Sequence, residues 1–241
     1  YFVSYRYNRI IMSKKVMITG ANRGIGLAIT KQYLNRGDEI YAFCRNPNTS
    51  EELKHLSEEN KNINTYELDV CSEDSIKSAC NLIDDYIDII ICNAGIGAGY
   101  GGVMDDQNSQ KKFLEVLNTN VVGQFLTIKY FLNKLTKESD KKIAIISSLM
   151  GSQHHDSPNA YFYRSSKAAV NNLMVTFSKE LIHQNISICS YHPGWVRTEM
   201  GGPDADLSPE ESAGHLIERF DELSIKISGN FYNFDGKLLL I

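Results

Sequence analysis

The sequence predicts an α/β protein with a doubly wound, mainly parallel sheet of about seven strands and helices on both faces. Short β-branched runs alternate with longer amphipathic stretches along the chain, a pattern typical of strands joined by right-handed helical crossovers. A glycine-rich turn directly follows the first run. Four runs are almost continuously apolar, as strands buried on both faces must be: residues 16–18, 87–92, 143–146 and 186–189.

Each element is predicted from its own stretch of sequence. β-branched and aromatic residues predict strands over residues 16–19, 39–44, 64–68, 87–92, 142–147 and 186–190, with an edge strand over 230–234. Apolar residues at helical spacing predict helices over residues 24–36, 51–59, 72–83, 111–135, 163–183 and 209–223. No linker or repeat divides the pattern, so we expect residues 12–241 to form a single domain.

Residues 1–11 stand apart from this alternation. The segment does not begin with Met, whereas Met12 stands just ahead of the first predicted strand. It also lacks the apolar centre of a secretory signal peptide. We therefore expect residues 1–11 to be a non-native or unstructured extension.

Composition excludes several classes of function. The net charge of −4 comes from interspersed acids and bases, and without a basic stripe a nucleic-acid partner is not expected. No apolar run approaches the roughly 18 residues of a membrane helix. Five cysteines without a CxxC pair are typical of reduced thiols in a cytoplasmic protein. His154, His155 and Asp156 have no further ligand cluster, so no metal is expected.

The turn after the first strand has the composition of a phosphate cradle. It reads TGANRGIG from Thr19 to Gly26 and opens a helix. Glycines let the backbone approach a pyrophosphate, and a helix N-terminus offers free N–H groups and a positive dipole. This predicts a Rossmann fold with a dinucleotide held by Gly20, Asn22, Arg23, Gly24, Ile25 and Gly26.

The end of the second strand indicates which dinucleotide is bound. An NAD site usually has a carboxylate there, about 20 residues beyond the glycines, to hold the ribose hydroxyls. This chain has Arg45 instead, and Arg23 lies in the glycine turn. Guanidinium groups bind phosphate with paired hydrogen bonds, so the two arginines favour the 2′-phosphate of NADP(H).

A phenol and an ammonium lie four residues apart in a predicted helix, at Tyr163 and Lys167. A fixed cation lowers the pKa of a neighbouring phenol, and a proton donor works best when its pKa is near the working pH. A buried strand ends at Ser147 and Ser148, which precede Tyr163 by 16 and 15 residues. Ser148, or alternatively Ser147, is placed to hydrogen-bond a substrate oxygen. The amide Asn120 stands within a long predicted helix, where amides are poor helix formers.

These motifs, in this order, resemble the single-domain short-chain dehydrogenases/reductases. TGxxxGxG, Asp69, the Asn-Ala-Gly segment at 93–95, Asn120, Ser148, YxxxK and Pro193-Gly194 span nearly the whole chain. The segments YRSSK and HPGWVRTEMGG are similar to those of the sniffer-like carbonyl reductases and the bacterial C-factor group. The chain differs from many relatives at its end, KLLLI, where they finish with Trp after Pro.

The resemblance implies a role for each matching position. Tyr163 is the acid/base, Lys167 binds the nicotinamide ribose and lowers the tyrosine pKa, and Ser148 orients the substrate. Asn120 positions a water that relays protons. The remaining cofactor-binding positions are Asp69, Val70, Asn93, Ala94, Gly95, Pro193, Gly194, Val196 and Thr198.

We therefore expect an NADPH-dependent oxidoreductase that reduces a small-molecule carbonyl, an aldehyde, ketone or quinone, to an alcohol. Two alternatives stay open: an NADP(H)-binding regulatory or signalling protein with little catalysis, and a dehydrogenase that oxidises a secondary alcohol. The helices over 111–135 and 163–183 resemble those that form homodimers in relatives. Trp195, Met150, Phe162 and Met200 either line a substrate pocket or pack elsewhere.

Overall fold

The computed structural model describes residues 13–135 and 141–241 of the 241-residue chain. The predicted extension over residues 1–11 lies outside the described residues and stays a prediction. The described residues contribute one sheet, with strands β1 (Lys15–Thr19), β2 (Glu39–Cys44), β3 (Ile63–Glu67), β4 (Ile89–Cys92), β5 (Lys141–Ile146), β6 (Ile186–His192), β7 (Phe231–Asn233) and β8 (Leu238–Leu239).

The sheet has the order β3-β2-β1-β4-β5-β6-β7-β8. Its strands pair in parallel except for β7 with β8, which are antiparallel. This confirms the predicted α/β class and the mainly parallel sheet. The prediction of about seven strands omitted β8, because a strand of two residues is too short to carry a period-2 signal.

Helices cover both faces of the sheet, as predicted. Among the described residues no helix is both long enough and apolar enough to cross a membrane. The helices are α1 (Gly24–Asn35), α2 (Glu51–Glu59), α3 (Glu73–Asn81), α4 (Gln110–Leu117), α5 (Gly123–Phe131), α6 (Tyr161–Leu181) and α7 (Pro209–Glu222).

The helix predicted over residues 111–135 is not continuous. A wider π-helical turn, Asn118–Val122, separates α4 from α5. Its amide Asn120 forms hydrogen bonds outside the helix, and Gly123 passes so close to Val70 that a Cβ would lie 2.7 Å from the carbonyl oxygen of Val70. Single π turns in α-helices often mark functional sites.

The hydrophobic core lies in two layers, one on each face of the sheet. Alternate residues of β1 point to opposite faces, so Val16 and Ile18 pack with α1 and α7 while Met17 packs with α5 and α6. The fully buried residues of the first layer include Ile29, Leu216 and Phe220, and those of the second include Ile90, Phe131, Ile143 and Met174. Removal of these side chains from water is the main stabilising contribution to the fold.

The order of the strands places a crevice beside β1. The chain passes from β1 to β2 on one side, and β4 pairs with β1 on the other. Ligands of open α/β sheets bind at such a reversal, beyond the carboxyl ends of the strands. Because the strands are parallel, residues that follow them lie along this edge: Gly20, Arg45, Asn93, Ser148 and Pro193.

Candidate active site

The glycine turn is held in place by the segment that follows β4. The Asn93 Nδ2 donates to the carbonyl oxygens of Thr19 at 3.0 Å and Gly20 at 3.1 Å. The backbone N–H groups of Asn93 and Ala94 donate to the Thr19 Oγ1. Asn93 therefore fixes the shape of the cradle, a role that the motif alone did not specify.

The turn itself is suited to a phosphate group. Gly20 and Gly24 have φ values of +68° and +54°, which side chains rarely tolerate. A Cβ at Gly26 would overlap the carbonyl oxygen of Gly20. No side chain caps the start of α1 and no acidic residue stands in its first turn, so its N–H groups and dipole are available to an anion.

Two arginines lie at the outer end of the crevice. Arg45 directly follows β2 and is exposed. Arg23 is also exposed and forms an ion pair with Glu199. Surface pairs of this kind contribute about 0–1 kcal/mol, so an incoming phosphate could displace Glu199 at little cost.

Asp69 and Val70 lie beyond the carboxyl end of β3. The Asp69 Oδ1 accepts a hydrogen bond from the backbone N–H of Cys71 at 2.9 Å, and the Asp69 N–H donates to the Ser75 Oγ at 3.0 Å. Val70 is buried against Gly123 of α5. These contacts fix the turn into α3 and leave Asp69 half-buried.

Ser148, Tyr163 and Lys167 converge beside the end of β5. The Ser148 hydroxyl is close enough to hydrogen-bond the Tyr163 phenol and thereby lower its pKa. The Lys167 Nζ lies 5.6 Å from the centre of the Tyr163 ring and donates to the Ile146 carbonyl oxygen at 2.8 Å. Ser147 is also buried, but its N–H donates to the Tyr191 carbonyl oxygen at 2.8 Å and its Oγ has no hydrogen-bond partner among the described residues, so the geometry favours Ser148.

Burial determines the protonation of this group. It raises the pKa of Tyr163 above the usual value near 10, and it lowers the pKa of Lys167 from 10.5 to about 8. The sequence predicts that the ammonium lowers the tyrosine pKa, whereas in the structure the exclusion of water around Tyr163 raises it. At neutral pH Tyr163 therefore keeps a proton to donate, and of these two side chains Lys167 has the pKa nearer to neutrality.

Asn120 joins three parts of the site. Its Oδ1 accepts from the Ile96 N–H at 2.8 Å, while Nδ2 donates to the Ile96 carbonyl at 2.8 Å and to the Ser166 Oγ at 3.0 Å. Its amide thus ties the segment after β4 to α6. A Cβ at Gly95 would lie 3.3 Å from the Asn120 Oδ1 and 3.6 Å from the Lys167 Nζ, so glycine keeps open the space above Lys167.

The segment after β6 covers the glycine turn. Gly194 has φ +87°, and the Pro193 carbonyl accepts from the Ser212 Oγ at 2.7 Å. Val196 is buried and forms a bridge with Leu207. Thr198 reaches the turn, because a Cβ at Gly24 would lie 3.2 Å from its methyl group. These contacts place Thr198 against the glycine turn, and Asn93, Asn120 and Lys167 on the same edge of the sheet.

Sequence reasoning missed Tyr100, whose ring centre lies 6.1 Å from that of Tyr163. The only signal for it was a single aromatic residue within the glycine-rich loop 97–102. Of the residues left open as pocket-lining, Met200 approaches this loop at Gly97, whereas Phe162 is buried in a stack with Phe113.

Comparison with known proteins identifies the family. A family model described as short chain dehydrogenase matches residues 14–207. The chain belongs to this family. It is therefore an oxidoreductase of the short-chain dehydrogenase/reductase type, a family that uses NAD or NADP, and the resemblance drawn from the motifs is confirmed.

The relatives span nearly the whole chain. An uncharacterized oxidoreductase of Schizosaccharomyces pombe is 32% identical over 94% of this chain and 98% of its own length. The C-signal protein of Myxococcus xanthus is 30% identical over 66% of this chain and 95% of its own.

Two solved structures share the short-chain dehydrogenase fold closely. The carbonyl reductase Sniffer of D. melanogaster has a TM-score of 0.89 at 31% identity and covers 95% of this chain and 100% of its own. The NADPH-bound carbonyl reductase from chicken fatty liver has a TM-score of 0.86 at 32% identity, covering 95% and 99%.

Proposed function

We propose that this protein reduces a carbonyl compound, an aldehyde, ketone or quinone, to an alcohol with NADPH, and that Tyr163 donates the proton. The observation that carries the proposal is the convergence of Ser148, Tyr163 and Lys167 beside the phosphate cradle. Three solved relatives support it: two are carbonyl reductases, one of which holds NADPH, and a third is a short-chain dehydrogenase/reductase with bound NADP.

The residues present fit the dinucleotide. Gly20, Gly24 and Gly26 leave room for a pyrophosphate at the start of α1, and Thr198 closes over them. Asp69 and Val70 would border the adenine, and Asn93, Ala94, Gly95, Pro193, Gly194 and Val196 the nicotinamide half. When bound, the reduced nicotinamide would supply a hydride to the carbonyl carbon.

The chain's own groups would manage the proton and the developing charge. Tyr163 gives its phenolic proton to the substrate oxygen, and Ser148 donates a hydrogen bond to the same oxygen, which stabilises the negative charge that forms there. The Lys167 ammonium stabilises the phenolate that remains. Asn120 holds the loop above Lys167 in position, and with Lys167 it would guide a replacement proton from solvent.

Substitution of the phenol tests the assignment directly. Tyr163→Phe should reduce kcat with NADPH and a panel of aldehydes, ketones and quinones by about two to four orders of magnitude, with NADPH binding retained. Tyr161→Phe is the matched control, because Tyr161 is an exposed tyrosine on the same helix; its activity should stay within about twofold of the wild type. A fully active Tyr163→Phe protein would refute the role.

Preference for NADP(H) over NAD(H) is part of the proposal and rests on Arg23 and Arg45. Arg45 has no acid beside it on β2, and Arg23 has only an exposed partner in the described residues. Wild-type kcat/KM should be higher with NADPH than with NADH. Arg45→Ala should lower the value for NADPH about tenfold or more and leave that for NADH nearly unchanged. Equal values in the wild type would end this part of the proposal.

The alternatives give different results in the same assays. A regulatory protein would bind NADPH tightly but turn over none of the carbonyl panel. A dehydrogenase of secondary alcohols would give higher kcat/KM with NADP⁺ and an alcohol than with NADPH and its ketone. The complete set of Ser148, Tyr163 and Lys167 favours catalysis, since nucleotide binding alone does not require it.

A single catalytic domain over residues 12–241, a homodimer and a cytoplasmic location complete the proposal. One sheet that joins strands from Lys15–Thr19 to Leu238–Leu239 supports the single domain.

A stacked pair, Phe125 on α5 and Phe177 on α6, with ring centres 5.7 Å apart, supports a partner at this face. Five free cysteines are consistent with a reducing compartment. Fluorescence microscopy of the tagged native protein would test the location.

A further inference from the structure

Tyr100 lies at the mouth of the site and has no role in the mechanism above. It belongs to the loop between β4 and α4, and 45% of its surface is exposed. Its ring centre stands 6.1 Å from that of Tyr163, with the ring planes inclined by 43°. Tyr100 therefore forms an aromatic wall beside the proton donor rather than a part of the distant surface.

The loop that carries Tyr100 is seated on the neighbour of Tyr163. Gly99 has φ +72°, and a Cβ there would lie 2.8 Å from the ring of Phe162. Phe162 directly precedes Tyr163 and stacks on Phe113 with ring centres 4.4 Å apart. The position of Tyr100 is consequently tied to the helix start that positions the phenol of Tyr163.

The segment after β6 lies beside Tyr100 at the mouth. Met200 of this segment and the Tyr100 hydroxyl both approach Gly97, where a Cβ would overlap the hydroxyl and lie 3.2 Å from the Met200 Cγ. The Trp195 Nε1 donates to the Gly201 carbonyl at 2.8 Å, which fixes the path of the segment beside Met200. An aromatic ring and a thioether thus lie next to each other, and the ring is the one that stands beside Tyr163.

From this geometry we infer that Tyr100 is a specificity-determining residue that selects carbonyl compounds with a flat, unsaturated substituent over those with a saturated ring. The inference rests on the proposed function and names a substrate class for the same site. A planar substituent can stack against the Tyr100 ring while its carbonyl oxygen meets Tyr163. A puckered ring of the same size stacks less well, since stacking requires two flat faces.

The test compares benzaldehyde with cyclohexanecarbaldehyde, which have the same number of carbon atoms but differ in planarity. Tyr100→Ala should lower the ratio of their kcat/KM values about tenfold, mainly by raising KM for benzaldehyde. Tyr100→Phe should keep the wild-type ratio, because it keeps the ring. Tyr86→Ala is the matched control, since Tyr86 is similarly exposed but precedes β4 at the opposite edge of the sheet.

A second variant perturbs the position of the Tyr100 ring without removing the ring. Gly97 has an ordinary φ, so Gly97→Ala introduces only a methyl group against the Tyr100 hydroxyl, and it should shift the ratio in the same direction as Tyr100→Ala. An unchanged ratio in both variants, with activity preserved, overturns the role of Tyr100 and leaves the proposed function intact. A Tyr100→Phe protein whose ratio falls as far as that of Tyr100→Ala also overturns the stacking role, because the hydroxyl rather than the ring would then be responsible for the preference. A wild type that reduces no carbonyl compound overturns both proposals.

Discussion

Replacement of Lys167 by Met should remove activity and make the ligand-free protein more stable at neutral pH. The Lys167 side chain is only 3% exposed, and burial lowers its pKa from 10.5 to about 8. That difference corresponds to about 3 kcal/mol of unfavourable free energy while the group is charged. The hydrogen bond from Nζ to the Ile146 carbonyl at 2.8 Å offsets about 1–2 kcal/mol of this cost. The free energy of unfolding of Lys167→Met should therefore exceed that of the wild type by about 1–2 kcal/mol at pH 7.

The pH dependence gives this prediction its sign. Below about pH 8 the folded and unfolded proteins both carry a charged Lys167, and the full cost is present. Between about 8 and 10.5 the folded protein releases the proton while the unfolded chain keeps it, so wild-type stability rises with pH relative to the variant. The advantage of Lys167→Met should therefore shrink over this interval.

Urea unfolding of both proteins at pH 7.0 and about pH 10 would measure the two differences. Lys179→Met on the same helix is the control, because Lys179 is exposed and its replacement should change stability by no more than about 0.5 kcal/mol. The reasoning fails if Lys167→Met is less stable than the wild type by more than about 1 kcal/mol at both pH values. Retained carbonyl reduction in the variant would separately exclude Lys167 from the mechanism.

Three further predictions follow from the site and its surroundings. Gly26→Ala should weaken NADPH binding at least about tenfold, measured by fluorescence titration, since its Cβ overlaps the Gly20 carbonyl; Gly214→Ala, with no neighbour nearer than 3.5 Å, should bind normally. The rate of carbonyl reduction should fall as pH rises through about 8, because Lys167 then loses its charge; a constant initial rate from pH 6 to 9.5 would contradict this. Phe125→Glu should convert a dimer to a monomer in size-exclusion light scattering, since Phe125 is 40% exposed; a monomeric wild type would remove the basis for this expectation.

The polar motifs were readable from the sequence because each is local. A glycine turn acts through the conformations of a few successive residues, and Tyr163 and Lys167 meet because one helical turn brings positions four apart together. The apolar strands likewise predict a buried parallel sheet without any knowledge of their partners. The order of the strands in the sheet cannot be read from local sequence. The carboxyl ends of parallel strands nevertheless share one edge of the sheet in any order, so the motifs that follow the strands are expected at that edge.

The amino-acid sequence was sufficient to predict the class of fold, the family and a set of candidate site residues, since these depend on short-range spacing. Three contacts could be read only from the folded chain: Asn93 supports the glycine turn, the Asn120 amide binds Ile96 and Ser166, and Tyr100 stands beside Tyr163. Each of these contacts joins residues brought together by chain folding rather than by spacing. The protonation of Tyr163 and Lys167 was decided in the same way, because their pKa values respond to how much water the packed chain excludes.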